Sequence, residues 1–352
     1  MDWLSLHRQY LNFINRFLPK SRLLAAVVGI DIGTSSVKAV EIARTNNSFE
    51  IHHWALEPIK EGDPKAALKR LFSRMNFKDQ IPVTSVAGKG ALIRYIDMPR
   101  MTLEELRKSF VYEIDKYFPF DPQTIYTDCY ITDSQSKEKK MSVLVAAAKK
   151  ELVDERIKLF KEVGMNLTYV TTNAIAMANA FEQLAPEQAA PAGAKAMLDI
   201  GGVMSSLMIL KDHSPCFTRD IFIGSQDMSK QIANILGVDL AKAEEIKRTP
   251  GEMLNEIIQA CEAPIDNLIG EVQLSLDYFM TEKNVPVTEL FLVGGGSLLK
   301  GIEGTFEKSL NIPVKIWNPL VGLRLGAQAA SSDIYSFSSQ LGVAIGLALT
   351  QI

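Results

Sequence analysis

The sequence predicts an α/β fold built by duplication: two related domains facing each other across a cleft, with a small β-α-β-β-α-β subdomain inserted into the first. Three observations predict it. Asp31-Ile32-Gly33-Thr34-Ser35-Ser36 and Asp199-Ile200-Gly201-Gly202 are similar strand-turn-strand hairpins, one opening each half of the chain. Residues 91–172 alternate strand and helix periods in the order of a split β-α-β unit. Further on, Leu292-Val293-Gly294-Gly295-Gly296-Ser297 sets a triple-glycine turn between a strand and a helix.

Taken in order, residues 1–24 form an extension. Apolar residues at 3, 4, 6, 10, 11, 13, 14, 17 and 18 mark an amphipathic helix over 3–18, stopped at Pro19. Such a helix either packs on its own domain or a second copy, or lies on a membrane surface or a membrane-bound partner. Its polar face carries little beyond Arg8 and Arg16, so attraction to anionic lipid is expected to be weak. Strands over 25–32, 37–43 and 49–56, a helix over 64–75 and a strand over 84–89 make the first domain, 25–90, to which 173–190 returns. Within 91–172, strands are expected at 91–97, 125–132, 141–148 and 167–171, with helices at 102–117 and 151–163. The first of these helices opens with Thr102 and Glu105 spaced as a capping box. A small-residue linker, 185–193, precedes the second domain, 191–335. There strands at 194–200, 205–210, 216–223 and 289–293 alternate with helices at 226–236, 239–248, 251–261 and 264–280. A small-residue helix within 336–352 is expected to return to the first domain.

Composition narrows the function classes. With Lys+Arg 38 against Asp+Glu 41, a net charge of −3 gives no footprint for nucleic acid. Cys129, Cys216 and Cys261 lie far apart, with no metal-ligand spacing, as suits a reducing cytosol. Charged breaks keep every apolar run well below the ~20 residues of a membrane span, and no signal peptide is expected. His52 and His53 are neighbours on a strand, expected on opposite faces and so not a metal site.

The hairpins carry the chemistry. Glycine at Gly33, Gly201 and Gly202 lets backbone N–H groups approach phosphate oxygens, and the hydroxyls of Thr34, Ser35 and Ser36 add donors. The Asp before each turn would need a cation or water between itself and a phosphate, so Asp31 and Asp199 suit Mg²⁺ held through water. Lys38, on the returning strand, is placed to bring its ammonium to the β- or γ-phosphate. Gly294, Gly295, Gly296 and Ser297 offer a turn that presses backbone against an adenosine and its α-phosphate. Glu244 and Lys247 share a helix face and suit ribose hydroxyls and the base. Candidate catalytic groups are Asp199 and Asn173; Asn173 is placed either to orient water or to cap a helix, and is a poor base. The expected cofactors are ATP and Mg²⁺, with weak ATPase activity at most. The apolar pair Val203-Met204 makes the second loop the weaker phosphate binder.

Phosphate loop, connector helix, phosphate loop, adenosine turn and second connector, in that order, resemble the actin, sugar kinase and DnaK-type superfamily, with its ribonuclease H-like duplicated, actin-like fold. More closely, Gly-Ile-Asp-Ile-Gly-Thr-Ser-Ser-Val-Lys-Ala-Val-Glu-Ile (29–42), Met-Pro-Arg-Met-Thr (98–102), Phe-Pro-Phe (118–120), Leu-Asp-Ile-Gly (198–201) and Ser-Leu-Asp-Tyr-Phe (275–279) resemble the PilM family, cytoplasmic actin-like proteins of type IV pilus assembly. The resemblance covers 27–349, with FtsA a cousin. It implies that the insertion is a 1C subdomain and that the chain is cytoplasmic, recruited to the inner membrane through partners. It implies too that a groove between subdomains 1A and 1C grips the N-terminal tail of a PilN-like inner-membrane pilus assembly protein, with nucleotide state coupled to that grip. A pilus motor ATPase is a further implied partner. Two other readings stay open: a sugar kinase, whose first phosphate segment looks alike, and an FtsA-like filament former. A kinase needs a base Asp and a sugar pocket in the first domain, where this chain instead places its β-α-β-β-α-β unit.

Overall fold

The computed structural model describes residues 26–45, 48–75, 80–110, 113–132, 139–184, 193–211, 214–330 and 333–350. The amphipathic stretch at 3–18 and nearly all of the linker at 185–193 lie outside the described residues.

Strands β1 (Val27–Ile32) and β2 (Ser36–Thr45) form an antiparallel hairpin in which Asp31 stands opposite Lys38, and β3 (Ser48–Pro58) extends it. Helix α1 (Pro64–Arg74) starts where the Asp63 carboxylate accepts from the Ala66 N–H, with Pro64 in its first turn, and buries Ala67, Leu68 and Leu71. Strand β4 (Ile81–Val86) then pairs parallel with β1.

The insertion follows as β5 (Ala91–Pro99), α2 (Leu103–Phe110), β6 (Ile125–Ile131), β7 (Lys140–Lys149) and α3 (Lys150–Glu162). The expected capping box is present: Thr102 N donates to Glu105 Oε2 at 2.7 Å and Glu105 N to Thr102 Oγ1 at 3.2 Å. The 102–117 period is not one helix: the described span is Leu103–Phe110, and Glu113 precedes a separate turn at Ile114–Tyr117. Its sheet has three strands, β5-β7-β6, over a core including Met98, Leu106, Phe110, Phe118 and Val143. The fourth strand expected of this unit belongs elsewhere: β8 (Tyr169–Thr172) pairs parallel with β4 in the first sheet. Helix α3 leaves the unit too. Its Phe160 is fully buried with Val28, Ile30, Leu68 and Leu71. The apolar face of the first sheet beside α1 needs a second helix to cover it, and the three-stranded sheet already has α2.

After α4 (Asn173–Leu184) the theme repeats with β9 (Ala194–Ile200), β10 (Ser205–Lys211) and β11 (Ser214–Ile221), then α5 (Ser225–Leu236), α6 (Leu240–Arg248) and α7 (Leu254–Lys283). Helix α7 is continuous where two helices were expected on either side of Pro264. The proline removes one ladder bond, but Ile257, Cys261, Ile265, Leu268 and Val272 form one buried stripe across it and hold the turns in line. Strand β12 (Val287–Val293), α8 (Ile302–Leu310) and β13 (Val314–Ile316) complete a sheet of order β11-β10-β9-β12-β13. Strand β14 (Leu323–Leu325) crosses back to pair with β3, so the first sheet reads β14-β3-β2-β1-β4-β8. The terminal helix expected from 336 begins as a 3₁₀ segment, Ile334–Gln340, before the wholly buried α9 (Gly342–Leu349).

Helices α4 and α9 lie between the two sheets, where Val27, Val40, Ala176, Phe181, Met197, Met208 and Ile345 share one apolar cluster. The approach is close enough to require glycine: a Cβ on Gly29 would sit 1.9 Å from the Ala344 carbonyl oxygen, and one on Gly346 1.8 Å from that of Ala176. On β3, a bulge opposite Glu41 breaks the alternation that would put His52 and His53 on opposite faces. Both rings turn to Glu41 instead, with His53 Nδ1 2.6 Å from one oxygen and His52 Nδ1 3.9 Å from the other. Among the described residues, no three His, Cys, Asp or Glu side chains are grouped to hold a metal ion, and no helix is long and apolar enough to cross a membrane.

A Gly346→Ala substitution should destabilise the fold by about 1–3 kcal/mol or more, through overpacking against backbone that cannot retreat. Thermal unfolding followed by circular dichroism measures it; a midpoint indistinguishable from wild type would contradict the close approach.

Candidate functional site

The two hairpin turns face each other. In the first, Gly33 N donates to Ser36 O at 3.0 Å; in the second, Gly201 N donates to Met204 O at 3.0 Å. A Cβ on Gly202 would lie 3.2 Å from Thr34 Cβ and 3.3 Å from Ser35 Oγ, so the loops meet across the cleft floor. Behind the second turn, Ser225 N and Gln226 N at the start of α5 donate to the carbonyls of Gly201 and Gly202, each at 2.8 Å.

Under these loops Asp31 is buried and Asp199 half-buried. Lys38 Nζ donates to Asp31 Oδ2 at 2.9 Å, a pairing dictated by their opposed register. Burial, helped by the nearby Asp31 charge, pushes the Asp199 carboxyl up to about 6, with Lys38 pulling the other way. Gly294 closes over Asp199 with φ 82°. A Cβ there would stand 2.2 Å from Asp199 Oδ1, so the triple-glycine turn and the second aspartate form one unit.

Gly294, Gly295 and Gly296 line the cleft; Ser297, fully buried, instead pins the turn by donating from its hydroxyl to Gly294 O at 2.7 Å. Glu244 and Lys247 line it from α6, 2.6 Å apart. Lys247 Nζ also donates to Ser225 O at 3.0 Å and Ser229 Oγ at 2.7 Å, which ties α6 to α5. Burial works to raise the Glu244 carboxyl, but hydrogen bonds from Lys247 and Ser229 outweigh it and hold it below the ordinary range. Asn173 lines the cleft at the head of α4. The cap there is Thr172, whose hydroxyl accepts from Ile175 N at 3.3 Å.

The cleft encloses about 880 Å³, within the range of small-molecule and cofactor sites. Its walls include residues the motifs did not single out, among them Ser85, Arg156, Phe337, Ser339 and Gln340. Ser85 Oγ, Arg156 Nη1 and Ser339 Oγ are buried without a hydrogen-bond partner among the described residues. Orphaned polar atoms gathered around one cavity mark a polar occupant, because each is costly to bury unpaired. Arg156 carried a faint signal: it stands four residues from both Leu152 and Phe160, a cation on the apolar stripe of its helix. Nothing local distinguishes Ser85 or Ser339.

A family model described as "Type IV pilus assembly protein PilM" matches residues 29–352. The chain belongs to the PilM family. Among solved structures it is similar to a "PilM-PilN type IV pilus biogenesis complex", at 26% identity and TM-score 0.81, over 92% of this chain and 98% of that one. It is also similar to the ethanolamine utilization protein EutJ from Carboxydothermus hydrogenoformans, at 14% identity and TM-score 0.53, over 97% of this chain and 98% of that one. The fold is the actin-like fold.

The Asp31–Lys38 pair should behave as a buried ion pair. Lys38→Met is expected to cost about 3–5 kcal/mol by leaving a carboxylate uncompensated. Asp31→Asn added to Lys38→Met should recover most of that loss. Urea denaturation of the two variants measures the cycle; a neutral single substitution would break it.

Proposed function

We propose that this PilM-family chain is an ATP-binding scaffold of type IV pilus assembly that grips the cytoplasmic tail of a PilN-like inner-membrane protein, with nucleotide and partner binding coupled. One observation carries the nucleotide half: buried orphan polar atoms line a cleft whose floor is two glycine hairpins meeting face to face. The residues fit a magnesium nucleotide. Two aspartates close enough to repel each other at the cleft floor are relieved by a divalent cation between them and a polyphosphate. Bound Mg²⁺ would supply charge neutralisation for the β- and γ-phosphates.

The chain's own residues supply the rest. Gly33 and Gly201 close the two turns, Thr34, Ser35, Ser36 and Gly202 contact the phosphates, and Lys38 stands beneath the first turn. Gly294 to Gly296 form the adenosine seat, held by Ser297, with Glu244 and Lys247 at the ribose and base. Asp31 and Asp199 are the Mg²⁺-linked acids. Asn173 orients water at the terminal phosphate beside Asp199, which lines the same cleft; an amide is a poor base and Asp199 is committed to the Mg²⁺ shell, so hydrolysis is slow.

Support for the partner half is family membership together with the solved PilM–PilN complex, which matches nearly this whole chain. On this reading the protein is cytoplasmic and reaches the inner membrane through that tail, bound in a groove between the first domain and the insertion. Closure of the halves on ATP biases that groove.

Asp31→Ala should weaken binding of a fluorescent ATP analogue in the presence of Mg²⁺ by about tenfold or more, and retained wild-type affinity would refute its role. Titration calorimetry with a peptide of the PilN-like tail should show saturable heat, stronger with ATP present than without. A flat titrant curve under both conditions would remove the partner assignment.

A further inference from the structure

Arg156 reaches the cleft from an unexpected direction. It sits on α3, which leaves β7 of the inserted sheet directly, Lys149 being the last strand residue and Lys150 the first helical one. Lys149 N is tied to Gly90 O at 2.8 Å, so the root of the helix is fixed to the start of the insertion. Yet the Arg156 side chain lines the same cleft as Asp31, Gly33 and Ser85. Its Nη1 is buried, and no ion pair or hydrogen bond joins it to another described residue.

Local charges do not explain it. Asp31 is near enough to stabilise the guanidinium, but burial outweighs that attraction and holds Arg156 below the ordinary arginine range. Asp31 already accepts from Lys38 through Oδ2. A guanidinium with a buried Nη1 and an unused N–H fork, opening on a cleft floored by the two hairpin loops, is a receptor for a bidentate oxyanion, and phosphate matches that fork. The adenosine seat and the Glu244–Lys247 pair belong to the second half of the chain, whereas Arg156 comes in from the insertion on the Asp31 side. That end of the cleft suits the far end of a polyphosphate.

The insertion also touches the second half. Strand β5 contacts β11, where burial raises the Tyr95 phenol and Cys216 is near enough for its thiol to add to that rise; just before the insertion, Lys89 Nζ lies 4.9 Å over the Phe222 ring. A pull on Arg156 is therefore felt by a subdomain in contact with both sides of the cleft.

We infer that Arg156 reads the terminal phosphate of the bound nucleotide, so that the inserted subdomain responds to ATP and not to ADP. This rests on the nucleotide reading proposed above. The two are separated by titrating the full chain, with Mg²⁺, against ATP and ADP in competition with a fluorescent nucleotide. Wild type binding neither nucleotide would sink both. If wild type binds, Arg156→Gln should weaken ATP by about tenfold or more while leaving ADP within about twofold, and Arg156→Lys should recover part of the ATP affinity. Equal losses for both nucleotides, or none for either, would overturn the role of Arg156 alone. A second readout is hydrogen exchange. Amides of residues 140–162 should be protected by ATP but not ADP in wild type, and by neither in Arg156→Gln. Equal protection by both nucleotides in wild type would also overturn the inference. The apo variant should melt no lower than wild type, since the substitution removes an unpaired buried charge.

Discussion

Everything in this molecule hangs on how closely two helices can approach the strands and each other between the sheets. Gly29 on β1 receives the backbone of α9 at Ala344, and Gly346 on α9 receives the backbone of α4 at Ala176. Any side chain at either glycine would wedge the layer open. Because α4 and α9 also pack on Met197 and Met208 of the second sheet, this layer sets the separation of the halves. That separation brings Gly202 within van der Waals reach of Thr34 and Ser35, and so creates a cleft floor from two loops distant in sequence.

The floor is electrostatically unfinished. Asp31 is matched by Lys38, while Asp199 is raised by desolvation and by its neighbour's charge, and roofed by Gly294. Ser85, Ser339 and Arg156 present buried polar atoms without partners. Hydrogen bonding in folded proteins is otherwise close to complete, so a concentration of unmet groups at one cavity describes a site organised around something polar.

The insertion is less separate than its own core suggests. Its three strands and α2 bury Leu106 and Phe110 internally, but α3 gives Phe160 to the first sheet and Arg156 to the cleft. One helix thus belongs to two packing units, and a rigid element shared in this way is the physical means by which a shift in one reaches the other.

Some of this was legible in the sequence because it is local. The hairpins around Asp31 and Asp199, the capping box at Thr102 and the strand entering Gly294 depend on turn chemistry and period within a few residues, and they settled the duplicated fold. Other features depend on what lies across a contact. Whether β8 completes the insertion or the first sheet is decided by an open β4 edge; the apolar stripe through Pro264 keeps α7 whole; a bulge turns both His52 and His53 toward Glu41. Arg156 stands on the apolar stripe of α3, and what it faces is decided only by how α3 packs over the first sheet. The sequence alone determined the two loops and their order, since backbone geometry at glycine is a local property. Only the tertiary structure decided which groups face each other across the cleft, because that follows from packing between segments far apart in the chain.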